Sequence, residues 1–155
     1  MKKAFFYEIA LIRFGIAEEN GAVTNIFFGT SVAPMEYETN ETALIRKTYG
    51  QLQEYFAKKR TEFDLPLAPE GTEFERSVWN TLLTIPYGKT QTYGEIAALI
   101  GNPKACRAVG RANGANPIGI VIPCHRVIGT DGRLTGYSAG LEFKELLLKL
   151  EGRLS

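Results

Sequence analysis

Nine residues, Ile120-Val121-Ile122-Pro123-Cys124-His125-Arg126-Val127-Ile128, constrain the fold more than any other stretch of the chain. Apolar, mostly β-branched residues enclose a cysteine, a histidine and an arginine, and such a run reads as a buried strand. Polar groups inside a buried segment need partners, so the rest of the chain must bring them. His125 is the only histidine, and Cys124 is one of two cysteines. A thiol becomes a nucleophile when a base or a positive charge favours its thiolate, and His125 and Arg126 have the chemistry to supply both. A buried cysteine also serves as a small hydrophobe; these residues alone leave both readings open.

Strand geometry narrows the choice. Successive side chains on a strand point to opposite faces, so Cys124 and His125 cannot touch if both are regular strand residues. Pro123 lacks a donor and favours a strand end, which places Cys124 where the strand gives way to a bend. A Cys–His pair made this way needs a turn or a bridging water, and a third group to orient the imidazole.

A length of 155 residues suits one large domain or two small ones, and 45% hydrophobic with 23% charged residues is an ordinary soluble composition. No apolar run approaches membrane-spanning length and no signal-peptide pattern opens the chain. Two cysteines 18 positions apart make neither a disulfide framework nor a zinc ligand set. The expected setting is cytoplasmic, intracellular and reducing. Net charge is +1, but between Pro86 and Val127 five basic residues (Lys89, Lys104, Arg107, Arg111, Arg126) face Glu95 alone, a local excess of four. Such a patch suits a polyanion.

Along the chain, apolar runs over 4–16 and 22–29 flank Asn20-Gly21, a strong hairpin signal. From Thr42 to Lys59 the period becomes helical, with Ile45, Tyr49, Leu52 and Phe56 on one face. Thr61–Leu67 is expected to return as a strand. Pro66, Pro69 and Gly71 mark a boundary, placed near residue 68, which divides the chain into an α/β part, 1–67, and a mostly helical part, 68–155.

The second part carries clear helix starts. Thr72 with Glu75, and Thr92 with Glu95, are capping boxes. The first opens a helix burying Phe74, Val78 and Leu82, with Trp79 in the core; the second carries Tyr93, Ile96, Ala97 and Ile100. Gly101 ends that helix, and Asn102 with Pro103 is expected to start a third. Two short helices joined by a tight turn are the sequence form of a helix-turn-helix. At about 100° per residue, Lys104, Arg107, Ala108 and Arg111 share one face of the third helix, flanked by Ala105 and Ala112, while Cys106, Val109 and Gly110 lie opposite. Asn116-Pro117 then turns into the central run. Gly129–Gly132 is a turn followed by Arg133–Tyr137, the small ribbon called a wing. A last helix buries Phe143, Leu146, Leu147 and Leu150. Glu151 stands at the edge of that stripe, either at the solvent boundary or paired with His125.

The stretch from Ile85 to Gly152, with PCHRV at 123–127 and RAVG and NP upstream, closely resembles the O6-alkylguanine-DNA alkyltransferases. The resemblance covers roughly residues 66–152 by motif and residues 1–65 by layout. It implies a ribonuclease H-like α/β N-terminal domain of a small antiparallel sheet and helix, followed by a winged helix-turn-helix domain. It also implies a partner, double-stranded DNA containing O6-alkylguanine, bound by a monomer without a cofactor. The third helix would enter the minor groove, with Lys104, Ala105, Ala108, Arg111 and Ala112 against the DNA together with Thr92. Arg107 matches the arginine finger that fills the gap left by the flipped base. Cys124 would attack the alkyl carbon, His125 would accept the thiol proton through a water, and Glu151 would hold the imidazole. Tyr93 matches the proton donor to the departing guanine, and Asn116 the hinge asparagine. The Val127 backbone and Ser138 would meet guanine O6, and Tyr137 would line the pocket. Asn113 stands where some members carry a bulky apolar pocket residue, and Arg111 where a small residue is common. The zinc-binding set of some members is absent, so no metal is expected. A non-catalytic branch that only binds lesions lacks the cysteine; a Cys–His hydrolase would need an oxyanion hole, to which no feature of the sequence points.

Overall fold

The computed structural model describes residues 1–28, 36–134, 137 and 140–153, and divides the chain into two compact units. The first comprises Met1–Glu70 with Pro117–Gly119, the second Gly71–Asn116 with Ile120–Ser155.

The first unit is a four-stranded sheet and one helix. Strands β1 (Lys2–Ile9), β2 (Ile12–Glu19) and β3 (Ala22–Phe28) form an antiparallel meander, and β4 (Tyr37–Thr39) lies parallel to β1, giving the order β3-β2-β1-β4. The expected antiparallel sheet is therefore mixed. The apolar run over 4–16 is two strands, because Ala10 and Leu11 both take positive φ (49° and 69°) and reverse the chain within two residues. Neither is a usual residue for that conformation, so no turn signal marks the break. Asn20-Gly21 makes the expected hairpin, with φ of 54° and 80°. Helix α1 (Ala43–Phe56) opens at Thr42, whose side chain accepts from Ile45 N, and buries Ile45, Thr48, Gln51, Leu52 and Tyr55. Tyr49 is only half-buried and stacks on Tyr7, ring centroids 3.9 Å apart.

Thr61–Leu67 is not a strand. Gln51 takes its backbone groups instead, donating to Asp64 O and accepting from Asp64 N, and only Leu67 bridges to Val23. A ladder bond once replaced by a side-chain amide cannot also be made to a neighbouring strand.

In the second unit, α2 (Glu73–Leu82) and α3 (Tyr93–Leu99) both carry complete capping boxes, at Thr72/Glu75 and Thr92/Glu95. Helix α4 (Cys106–Gly114) starts three residues later than expected: Asn102–Ala105 is a turn, and the helix opens at Ala105 with no side-chain cap. Trp79 is buried and its Nε1 donates to Ala112 O at 2.8 Å, tying α2 to α4. Val78, Leu82, Ile96, Val109 and Leu147 are each fully buried, worth about 1.5–3 kcal/mol apiece.

The run over 120–128 is buried but is not a strand. Ile118 makes one parallel bridge to Ile26, Ile120 takes φ +69°, and the chain turns. Cys124–Arg126 then form one 3-10 turn ahead of β6 (Val127–Ile128), which pairs in parallel with β5 (Gln91–Thr92). An apolar run reports burial, and only its length and flanks report conformation. Of the expected wing, the described residues show the turn closed by Gly129 N to Arg133 O. Helix α5 (Leu141–Leu150) buries Lys144, Leu147 and Leu148, while Leu146 is 45% exposed. Its inner face is rotated by one residue from the expected stripe.

Candidate active site

The 3-10 turn decides what the three polar residues of the central run can reach. Pro123 precedes it, Cys124 N bonds to Ile122 O, and Arg126 N to Pro123 O. Side chains about a third of a turn apart leave Cys124, His125 and Arg126 facing three directions, all buried. No direct hydrogen bond joins Cys124 to His125 among the described residues.

Glu151 caps the C-terminus of α5 and is 6% exposed. Its Oε2 lies 2.7 Å from His125 Nε2 and accepts from Arg126 Nη2 at 3.0 Å, while Oε1 accepts from Arg126 Nε at 2.8 Å. The sequence expectation that Glu151 meets His125 holds in the geometry. Arg126 is placed differently from its first reading: its charge is paired with Glu151 rather than set against the thiol. A charged side chain in an apolar run, with one acid already directed there, was the available signal. Behind it, Arg126 Nη1 donates to Ile85 O at 2.7 Å, the Tyr87 ring lies 5.8 Å from the guanidinium, and Gly88 N donates to Glu151 Oε1 at 3.2 Å.

Lys144, as a lysine on an amphipathic helix, reads as surface from the sequence. It is wholly buried, and its Nζ donates to Val127 O. Its spacing of three and seven from Leu147 and Glu151 was the signal. Burial lowers its pKa to about 8, against which the nearby Cys124 acts.

Burial is the largest influence on Cys124 and raises its thiol pKa; hydrogen bonding from Asn116, the charge of Lys144 and hydrogen bonding from Tyr137 act in the opposite direction. Burial also holds His125 below the usual imidazole range, with Arg126 and Lys144 adding to the effect and Glu151 opposing it. The imidazole is therefore neutral around pH 7. With Nε2–H given to the carboxylate, Nδ1 is the basic nitrogen, and it has no hydrogen-bond partner among the described residues. Tyr137, half-buried, has its pKa raised well above the usual value by burial and by Cys124.

Two asparagines brace the turn. Asn116 Nδ2 donates to Ile122 O at 2.8 Å and Asn113 Nδ2 to Cys124 O at 3.3 Å. Asn113 is 1% exposed, inside α4's inner face with Val109 and Ala112. That corrects the helical wheel. Cys106 is exposed rather than inward, and Ala112 is buried rather than on the open face. In a helix of alanine, glycine and arginine, side-chain hydrophobicity barely distinguishes faces. Arg107 and Arg111 do share the exposed side, Ala108 lies at its edge, and Lys104 and Ala105 sit in the preceding turn. A cavity of about 630 Å³ is lined by Tyr93, Cys106, Arg107, Gly110, Arg111 and Thr130, among others. Cys124 does not line it. Thr92 is engaged as the cap of α3, Val127 is fully buried, and Ser138 lies outside the described residues. Among the described residues no cluster of three or more His, Cys, Asp or Glu could hold a metal ion.

Two family models match. Residues 73–153 fit the DNA-binding domain of 6-O-methylguanine DNA methyltransferase, and residues 5–69 its ribonuclease-like domain. A methylated-DNA–protein-cysteine methyltransferase of Methanosarcina acetivorans is 61% identical over 119 residues, 77% of this chain and 76% of that one. One of Mycolicibacterium paratuberculosis is 62% identical over 105 residues, 68% and 64%. The Mycobacterium tuberculosis O6-methylguanine methyltransferase structure superimposes with TM-score 0.90 at 42% identity, covering 100% of this chain and 95% of that one. The M. tuberculosis OGT structure in complex with DNA gives 0.91 at 42%, covering 98% and 94%. With a ribonuclease-like domain, a DNA-binding domain and a buried Cys–His–Glu arrangement in one chain, this protein belongs to the 6-O-methylguanine DNA methyltransferase family.

Proposed function

We infer that the protein repairs DNA by moving an alkyl group, methyl foremost, from O6 of guanine to its own Cys124, once per molecule. The observation that carries this is the buried His125–Glu151 pair beside a buried cysteine, in a chain whose relatives are named for methyl transfer to a protein cysteine. The S–C bond forms as the C–O6 bond breaks, and the electron pair leaves with the guanine. The thiol proton passes to His125 Nδ1 through a water, and a proton goes to the guanine from Tyr93. His125 then releases its proton to solvent and Tyr93 regains one, so the net change is S–H to S–R and O6-alkylguanine to guanine. Glu151 holds the imidazole in the tautomer that leaves Nδ1 free. A thioether does not revert under this chemistry, so turnover stops at one.

Double-stranded DNA containing O6-alkylguanine is the proposed partner, met by a monomer. Arg107 and Arg111 on the open face of α4 face the phosphates and the gap left by the extruded base, and the cavity between α3 and α4 is the entry for that base. Because Cys124 is only 4% exposed, the base must displace neighbouring side chains to reach it, with Tyr137 as part of the wall. The unpaired or poorly paired lesion costs least to extrude. No helix among the described residues is long and apolar enough to cross a membrane.

The test is an intact-mass measurement after incubation with duplex DNA bearing O6-methylguanine. The expected result is a gain of one CH2, mapped to Cys124 and absent from Cys124→Ser, which still binds DNA. Tight lesion binding with unchanged mass would instead assign the protein to lesion sensing.

A further inference from the structure

Four contacts converge on one guanidinium. Arg126 is 6% exposed. Nε and Nη2 hold the two oxygens of Glu151 in a fork, Nη1 holds Ile85 O, and the Tyr87 ring covers the guanidinium. The turn that supplies Ile85 and Tyr87 also sends Gly88 N to Glu151 Oε1 and Tyr87 Oη to Leu150 O. A planar fork of this kind fixes a carboxylate in orientation as well as in charge.

We propose that Arg126 is a positioning residue of the transfer reaction: clamped by the Ile85–Gly88 turn, it fixes Glu151 so that Oε2 receives the proton on His125 Nε2 and Nδ1 stays available as the base.

The proposal rests on the alkyl-transfer reading, in which His125 must be neutral to accept a proton. Glu151 by itself pushes the ring toward imidazolium, an unreactive state for a base. Burial of the ring is the largest influence keeping His125 neutral; Glu151 opposes it, and the charges of Arg126 and Lys144 add to it. Arg126 contacts the carboxylate through both oxygens, and it neutralises part of the negative charge that favours a proton on the ring.

His125 is the only histidine, so its ring nitrogens are assigned without ambiguity by NMR of 15N-histidine-labelled protein. In the wild type at pH 7 the expected state is neutral, with Nε2 protonated and Nδ1 bare; imidazolium, or the Nδ1–H tautomer, would overturn the proposal. Single-turnover methyl transfer is then followed against pH. In Arg126→Met the acid limb moves up by about one pH unit, in step with the ring's titration. In Arg126→Lys the charge remains, so the limb stays near the wild-type position while the rate falls several-fold. A uniform loss at every pH in both variants would mean that Arg126 serves stability alone, and would also overturn the proposal. Should Arg126→Met fail to fold, the wild-type tautomer and the Lys variant still decide. Absence of methyl on wild-type Cys124 would sink the transfer reading itself, which the ring's tautomer does not touch.

Discussion

Lys144 Nζ, with none of its side chain exposed, donates to the carbonyl of Val127, three residues beyond the cysteine. A buried ammonium is costly, and its pKa of about 8 shows that cost. What offsets it is the effect on sulfur: the Lys144 charge opposes the burial that holds the Cys124 thiol protonated. Lys144→Met is therefore expected to slow methyl transfer at pH 7 by about tenfold or more, since one nearby charge moves a pKa by roughly a unit or more. The gap between wild type and variant should narrow as pH passes about 8, where Lys144 loses its proton. A gap that stays constant from pH 7 to 9 in single-turnover assays would show that Lys144 acts through packing.

Stability should carry the mark of the neutral imidazole. The folded pKa of His125 lies below the usual value, so below about pH 6.5 the unfolded chain binds a proton that the folded chain does not. Stability then falls as pH drops, by up to about 1.4 kcal/mol per pH unit, until the folded pKa is passed. Glu41, whose carboxyl is held low by hydrogen bonds from Tyr7 and Arg46, adds its loss only at more acid pH. Urea titrations at pH 7, 6 and 5 should show the His125 slope in wild type and lack it in His125→Gln. Equal slopes in both would place the acid sensitivity elsewhere.

Trp79 connects the core to the helix that carries the arginines. Its Nε1 bonds to Ala112 O at 2.8 Å, and Trp79→Phe would leave that carbonyl only the longer bond from Ala115 N at 3.2 Å, at a cost of about 0.5–1.5 kcal/mol. The expected outcome is a lower urea midpoint with methyl transfer retained below the transition. An unchanged midpoint would show that the bond from Ala115 N satisfies Ala112 O by itself.

What the sequence made legible was local. Thr72 with Glu75 and Thr92 with Glu95 announced their helices because a capping box is complete within four residues, and both boxes are formed. For Glu151, an acid at the edge of an apolar stripe left the solvent boundary and a pairing with His125 both open, and the family resemblance pointed to the pairing, which the geometry shows. Features that depend on distant packing were not. Ile120, with its positive φ, breaks a run whose composition says strand. Gln51 is a polar residue on a helix until it is seen replacing the ladder bonds of Asp64. Lys144 and Leu148 face inward, with Leu146 outward, an orientation set by what packs against α5 rather than by the helix's own pattern.

Arg107 and Arg111 stand on the same open face of α4 yet should fail differently. Both are exposed and both line the cavity beside Tyr93. If Arg107 fills the gap left by an extruded base, its loss matters only where a base must leave a duplex. Arg107→Ala should then slow repair of duplex O6-methylguanine far more than reaction with free O6-benzylguanine, which needs no extrusion. An equal loss on both substrates would remove Arg107 from that role. Arg111→Ala should weaken binding to damaged and undamaged duplex alike and reduce the dependence of log affinity on log salt by about one. Such a change belongs to a phosphate contact; a loss confined to damaged DNA would instead make Arg111 part of lesion recognition.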